Sequence, residues 1–255
     1  MPVTFPQPFR SAGCEECRNP KTLGFDFTMA FQPILDLDTM RPFAYEALVR
    51  GINGEGAGNI LAKVNDENRY RFDQACRVKA IELAAGLGLQ KLDQCRLSIN
   101  FLPNAIYRPE ACIRSTLEAC ERFGFPSDRL MFEVTEGERV DDSDHLIGIF
   151  NDYRKRGFLT AIDDFGAGYA GLNLLAQFQP HVLKIDMELT RNIHASPVRQ
   201  AIVGGIALTA GQLGITLVAE GVETEGERDT LYGFGIRYQQ GYLFAKPMTG
   251  TLALA

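Results

Sequence analysis

The chain is short of positive charge. Its 26 Lys and Arg face 32 Asp and Glu, a formal net charge of −6 over 255 residues. That balance speaks against a generic binder of polymeric nucleic acid, whose affinity comes from neutralising phosphates. It leaves room for a small nucleotide held through metal ions. Histidine is scarce, with only His145, His181 and His194. Cysteine numbers six, and Cys76, Cys95, Cys112 and Cys120 fall within apolar segments, as buried thiols do. Residues 1–13 lack an apolar core and a signal-peptide layout, so a reducing cytoplasm is the expected location. One long run, 201–219, carries no charge, but Gly204, Gly205, Gly211, Gln212 and Gly214 interrupt it. It reads as a buried helix ending near Gly214, then a short strand, with no membrane insertion. No repeat of fixed period is present.

The rest has the composition of an ordinary globular protein, 45% hydrophobic and 23% charged. Residues 1–24 read as an irregular arm with four prolines and the pair Cys14-Glu15-Glu16-Cys17. That pair is half a zinc site, a redox pair or two free thiols, and no second pair stands at suitable spacing. Residues 25–37 and 42–49 read as two strands joined by a short turn. Apolar periodicity then places helices over 66–87, 109–123, 143–156 and 171–178, with another opening at Ser196-Pro197. Thr224 and Glu227 form a capping-box pattern for the last. Between them lie short strands over 96–100, 130–134, 158–163, 181–185, 215–219 and around 238–244. Strands alternating with helices imply a mainly parallel sheet.

Polar residues recur at the strand ends: Glu46, Asn100, Glu133, Asp163, Asp164, Lys184, Glu220 and Gln240. An open sheet rarely gathers so many ends, whereas a closed barrel finishes all its parallel strands on one face. Residues 25–255 therefore read as a (β/α)8 barrel, with the first hairpin supplying one antiparallel strand.

The centre of the pattern is 160–169, where an apolar run stops at Asp163-Asp164 before Phe165-Gly166. By itself this could be a polar turn. It could also serve two hard divalent ions, one carboxylate bridging them. Glu46, in an apolar setting, needs a metal, a cationic partner or a salt bridge to Arg50. Five carboxylates on one face would repel one another, and Mg²⁺ or Mn²⁺ would relieve this through hard oxygen ligands. No histidine falls at a predicted strand end, which disfavours a histidine-based zinc site. Such a site suits attack of activated water on a phosphate ester. Lys184 would orient that water, offset charge, or form an ion pair with a neighbouring aspartate.

The ordered motifs resemble the EAL-domain phosphodiesterases, which hydrolyse cyclic di-GMP to linear pGpG. The resemblance spans roughly 25–248. It rests on Gln32-Pro33-Ile34, Glu46-Ala47-Leu48-Val49-Arg50, Ser98-Ile99-Asn100, Phe132-Glu133-Val134-Thr135-Glu136, Asp163-Asp164-Phe165-Gly166, Leu183-Lys184-Ile185-Asp186, Ala219-Glu220-Gly221-Val222-Glu223-Thr224 and Gln240-Gly241-Tyr242. It implies a barrel with one reversed strand and two cations, Mg²⁺ or Mn²⁺, among Glu46, Asn100, Glu133, Asp163, Asp164 and Glu220, Asp163 bridging. It implies that Lys184 holds the nucleophilic water with Gln240 beside it. Glu220 and Glu136 join the catalytic set, Glu136 by steadying the loop after Asp164. Arg50 would grip a substrate phosphate, while Gln32, Asp186, Glu223 and Pro247 would lie near the dinucleotide. A homodimer is also implied. The family often has threonine and two serines where Ala167, Ala170 and Gly171 stand, and Asn100 is followed by Phe101-Leu102-Pro103 in place of a polar residue.

A non-catalytic module binding cyclic di-GMP or a protein is the second reading, although degenerate members usually lack several acidic positions. A third is enolase-like proton abstraction; Arg50 and Gln240 favour the phosphodiester. No sensor or cyclase stretch accompanies the barrel, so regulation is expected through the arm, dimerisation or separate proteins.

Overall fold

The computed structural model describes residues 23–106, 108–135, 143–168 and 171–254. Cys14 and Cys17, and nearly all of the arm expected over 1–24, lie outside the described residues. β1 (Thr28–Asp36) and β2 (Arg41–Arg50) form the expected hairpin, with Gln32 opposite Glu46. So short a turn can join strands only in the antiparallel sense. β3 (Arg96–Asn100), β4 (Leu130–Thr135), β5 (Leu159–Phe165), β6 (Val182–Ile185), β7 (Thr216–Ala219) and β8 (Tyr238–Gln239) follow, each parallel to its predecessor. β8 then pairs antiparallel with β1, which closes the barrel. An unanticipated strand, β9 (Met248–Thr249), pairs with the other half of β1.

The strand crossovers carry the helices, chiefly Arg69–Gly86, Arg114–Phe123, Ser143–Lys155, Pro197–Leu213 and Glu225–Gly233. Gly124 and Gly214 end two of them in the left-handed conformation. Ser196 caps the fourth through Arg199 N–H, and Thr224 and Glu227 complete the expected capping box on the fifth. Cys76, Cys95, Cys112 and Cys120 are buried, as expected. The Pro197–Leu213 helix, uncharged beyond Arg199, corrects the sequence reading. It buries only Val203 and Ala210, while Val198, Ile202, Leu208 and Leu213 are exposed. It packs through a narrow stripe, with Gly204 close beneath the Phe234 ring. Lack of charge there marks a bare face, not a buried one. Among the described residues no helix is long and apolar enough to cross a membrane.

The barrel interior explains where the polar strand ends go. Ile34, Ala44, Met131, Ala161, Val182 and Val218 form one apolar cluster inside the barrel. Side chains two apart on a strand share a face. The next inward positions toward the open end are therefore Gln32, Glu46, Glu133, Asp163, Lys184 and Glu220. An apolar layer is followed by a charged one, and six of the barrel strands contribute by the same step of two.

The β5–β6 edge also holds a titratable contact. The Nδ1 atom of His181 accepts the Thr160 backbone N–H at 3.1 Å. Burial lowers the His181 pKa, and the Arg154 charge adds to this. Protonating Nδ1 would set two donors against each other. A depressed histidine pKa means the unfolded chain binds more protons, so stability rises with pH. Wild-type protein is expected to lose stability relative to His181→Gln as pH falls below the ordinary imidazole value of about 6.5. Denaturant titrations between pH 5 and pH 8, on the order of the imidazole range, check this. Parallel curves for the two proteins would show that the contact contributes nothing.

Candidate active site

The ammonium of Lys184 is the centre of the charged layer. It is fully buried and lies 2.7 Å from Glu220, 2.9 Å from Asp163, 3.0 Å from Glu133 and 3.2 Å from Glu46. Four carboxylates on one ammonium leave excess negative charge in a desolvated place. Burial works against the lysine's charge, but the carboxylates outweigh it and hold its pKa well above the usual value. The same imbalance pushes acids upward. Burial, opposed by Lys184 and reinforced by Glu46 and Asp163, raises Glu133 to about 8. Burial and the Asp163 charge raise Glu220 well above the ordinary carboxylate range. Asp164 rises to about 6 through burial, then through Asp163 and Asp186. Protons or further cations must relieve such a cluster.

Neutral donors steady the acids. Asn100 Nδ2 donates to Glu46 at 2.9 Å, and Gln240 Nε2 donates to Glu46 at 2.8 Å and to Gln32 Oε1 at 3.1 Å. Gln32 in turn donates to the Ala245 carbonyl at 3.1 Å. Glu46 thus pairs with Lys184 and two amides, not with Arg50. Ser98 donates its hydroxyl to Glu133. Sequence reasoning missed Ser98, although it stands two residues before Asn100 on the same face of β3, where the period of two could have found it.

Adjacent aspartates on a strand should diverge, yet both reach one cleft. The β5–β6 register shifts between Ile162 and Phe165, and Asp164 adopts a left-handed φ of 53°. Its N–H donates to Asp163 Oδ1 at 3.0 Å, a local bond of the kind that makes this region accessible to Asp. Gly166 follows at φ +103°, and any Cβ there would strike Leu189 at 2.4 Å. On the far wall, a Cβ on Gly241 would lie 2.0 Å from the Val222 carbonyl oxygen, so only glycine lets Gln240 approach the Glu220 loop. Thr190 donates its hydroxyl to the Glu220 carbonyl.

Two groups of acids have ligand atoms close enough to share an ion: Glu46, Glu133 and Asp163, and Asp163, Asp164 and Glu220. Asp163 belongs to both. All donors are hard oxygens, with no imidazole or thiolate, which fits Mg²⁺ or Mn²⁺. A cleft of about 510 Å³ opens above them, and Gln32, Asp186 and Glu223 also line it. Arg50 does not; its guanidinium donates to the Val49 carbonyl at 2.7 Å. Pro247 is half-buried outside the lining. Glu136 lies outside the described residues. Arg191, Met187 and Tyr242 line the cleft without having been expected. They sit beyond the strand ends, where alternation carries no information.

The architecture is a closed eight-stranded barrel with one reversed strand, and its open end carries two acid groups that could each hold a metal ion. The EAL domain model matches residues 22–247, and the chain belongs to the EAL domain family. It is 33% identical over 217 residues to the blue light- and temperature-regulated antirepressor BluF of Escherichia coli, covering 85% of this chain and 53% of BluF. The chain thus spans about half the length of that relative. A standalone EAL protein from Vibrio cholerae, solved in a c-di-GMP-bound form, superposes with a TM-score of 0.86 at 55% identity, covering 91% of this chain and 96% of that one. Klebsiella pneumoniae BlrP1, in a manganese and cyclic diGMP complex, gives 0.83 at 36% identity over 99% of this chain and 61% of that one. These likenesses agree with the expected barrel and family.

Proposed function

We propose that the chain hydrolyses cyclic di-GMP to linear pGpG in this cleft, with two divalent cations, Mg²⁺ or Mn²⁺, as cofactors. The observation that carries the reading is Asp163 shared between two acid groups built only of oxygen donors. Glu46, Asn100, Glu133, Asp163, Asp164 and Glu220 would hold the ions. When bound, the ions supply charge for a phosphoryl oxygen and lower the pKa of water. Lys184 balances the carboxylates and places a positive charge beside the attacking oxygen. Gln240, held on Glu46 and Gln32, keeps that wall of the cleft in register. Asp186, Glu223 and Gln32 face the dinucleotide. Roles for Arg50, Pro247 and Glu136 rest on the resemblance alone. A second copy of the chain would cover the exposed apolar side chains Leu172, Val198, Ile202 and Leu208.

The test is incubation of the purified protein with cyclic di-GMP and each cation, followed by product separation. Mg²⁺ and Mn²⁺ are expected to yield pGpG. Ca²⁺ is expected to support binding without turnover, since its longer bonds and looser shell activate water less. Full activity in Ca²⁺ alone would contradict the mechanism. One observation favours a second reading, a non-catalytic switch: BluF, an antirepressor, is a relative. Tight binding of cyclic di-GMP with no product in any metal would select it.

A further inference from the structure

Of the described residues lining the cleft, six are acidic and one is cationic: Arg191. Its Nη2 lies 3.1 Å from Glu223 Oε1, and both side chains are 46% exposed. An ion pair so exposed contributes little to stability. Its backbone support is of another kind. Glu227, almost fully buried, accepts the N–H of Asn192 at 2.7 Å through Oε1 and the N–H of Glu223 at 2.9 Å through Oε2. Burial alone would raise the Glu227 pKa, but these backbone donors outweigh it and keep the carboxylate ionised. Asn192, next to Arg191, takes a left-handed φ of 54°. One buried carboxylate thus fixes the chain beside Arg191 and at Glu223, from two different barrel loops. The pair is preorganised on the cleft wall.

We infer that Arg191 and Glu223 together read the base of the dinucleotide and select guanine over adenine. The inference rests on the proposed function of the same cleft. A guanidinium beside a carboxylate offers donors next to an acceptor. Guanine presents O6, an acceptor, next to the N1–H donor, which is the complementary order. Adenine presents the inverse, an amino donor next to the N1 acceptor, and would set donor against donor at Arg191. Arginine is also the usual partner of guanine O6 and N7. Tyr242, 56% exposed on the same cleft, offers a ring face for stacking. A site that hydrogen-bonds one donor–acceptor order discriminates against its inverse, which sets donor against donor and acceptor against acceptor.

The experiment compares wild type, Arg191→Met and Glu223→Gln on cyclic di-GMP and cyclic di-AMP, with Mn²⁺ affinity measured alongside. Methionine keeps the bulk of the arginine stem and removes only the fork. Arg191→Met is expected to raise the KM for cyclic di-GMP on the order of tenfold while kcat stays level, with a smaller preference over cyclic di-AMP. Mn²⁺ affinity should not change, whereas a purely structural lesion in the loop would lower it through Glu220. Unchanged KM and unchanged preference in both variants would overturn the inference while leaving the enzyme reading intact. Failure of wild type itself to hydrolyse or bind cyclic di-GMP would overturn the reading and the inference together.

Discussion

Asp163→Asn is expected to abolish turnover and leave the fold intact. Asp163 is the one acid common to both groups that could hold an ion. Asparagine preserves its size and still accepts the Asp164 N–H, now 3.0 Å from Oδ1, so the left-handed turn at Asp164 survives. Only the charge goes, and with it a ligand that the proposed mechanism assigns to both ions. The loss should exceed about 10³-fold in kcat, beyond the scale of removing a single electrostatic stabiliser. Stability should move the other way. In metal-free protein the substitution removes one of four negative groups crowded around a single ammonium. The Tm without metal is therefore expected to hold or rise, a trade of the kind common at active sites. Stabilisation by added Mn²⁺, which depends on tight binding to the folded state, should largely vanish. A variant that retained both turnover and its Mn²⁺-induced Tm shift would remove Asp163 from the metal site.

The residues legible in the sequence share one physical property. Asn100, Glu133, Asp163, Lys184, Glu220 and Gln240 sit at or next to strand ends and Glu46 stands mid-strand on β2, where alternation points them inward and parallel closure brings them together. Their convergence needed no knowledge of loop geometry. Helix caps at Ser196 and Thr224 were legible for a similar reason, since the bonds they make span three residues. What escaped depends on contacts distant in sequence. Arg191 and Glu223 meet only because two loops share Glu227. The exposure of the 197–213 helix depends on what the barrel leaves uncovered, which composition does not encode. β9 exists because β8 occupies only part of β1. Asp163 and Asp164 were both expected at the site, but the register shift that brings the two neighbours to one cleft is something alternation cannot foresee.

Lys184→Met is expected to cost on the order of 10²–10³ in kcat at saturating metal, the scale of losing one electrostatic stabiliser. Two roles compete for this residue. One is catalytic, a point charge beside the attacking oxygen. The other is structural, a counter-ion that lets four acids share a buried layer. The geometry displays the second role openly, with all four contacts at 2.7 to 3.2 Å. Methionine keeps the bulk, so cavity formation adds little. Without metal, the variant should be destabilised, because buried carboxylates lose their cation; breaking such a pair typically costs about 3–5 kcal/mol. Protonation of Glu133, already raised to about 8, offsets part of this below that pH. With both ions bound, the acids regain positive charge and the stability difference should shrink. A catalytic lysine would still show its loss under those conditions, since KM and metal content are normal and only the transition state lacks its charge. Measurement therefore pairs kcat with metal stoichiometry on the same sample. If Lys184→Met binds two ions per chain and keeps most of its kcat, the ammonium is only a counter-ion and the attacking oxygen is activated without it.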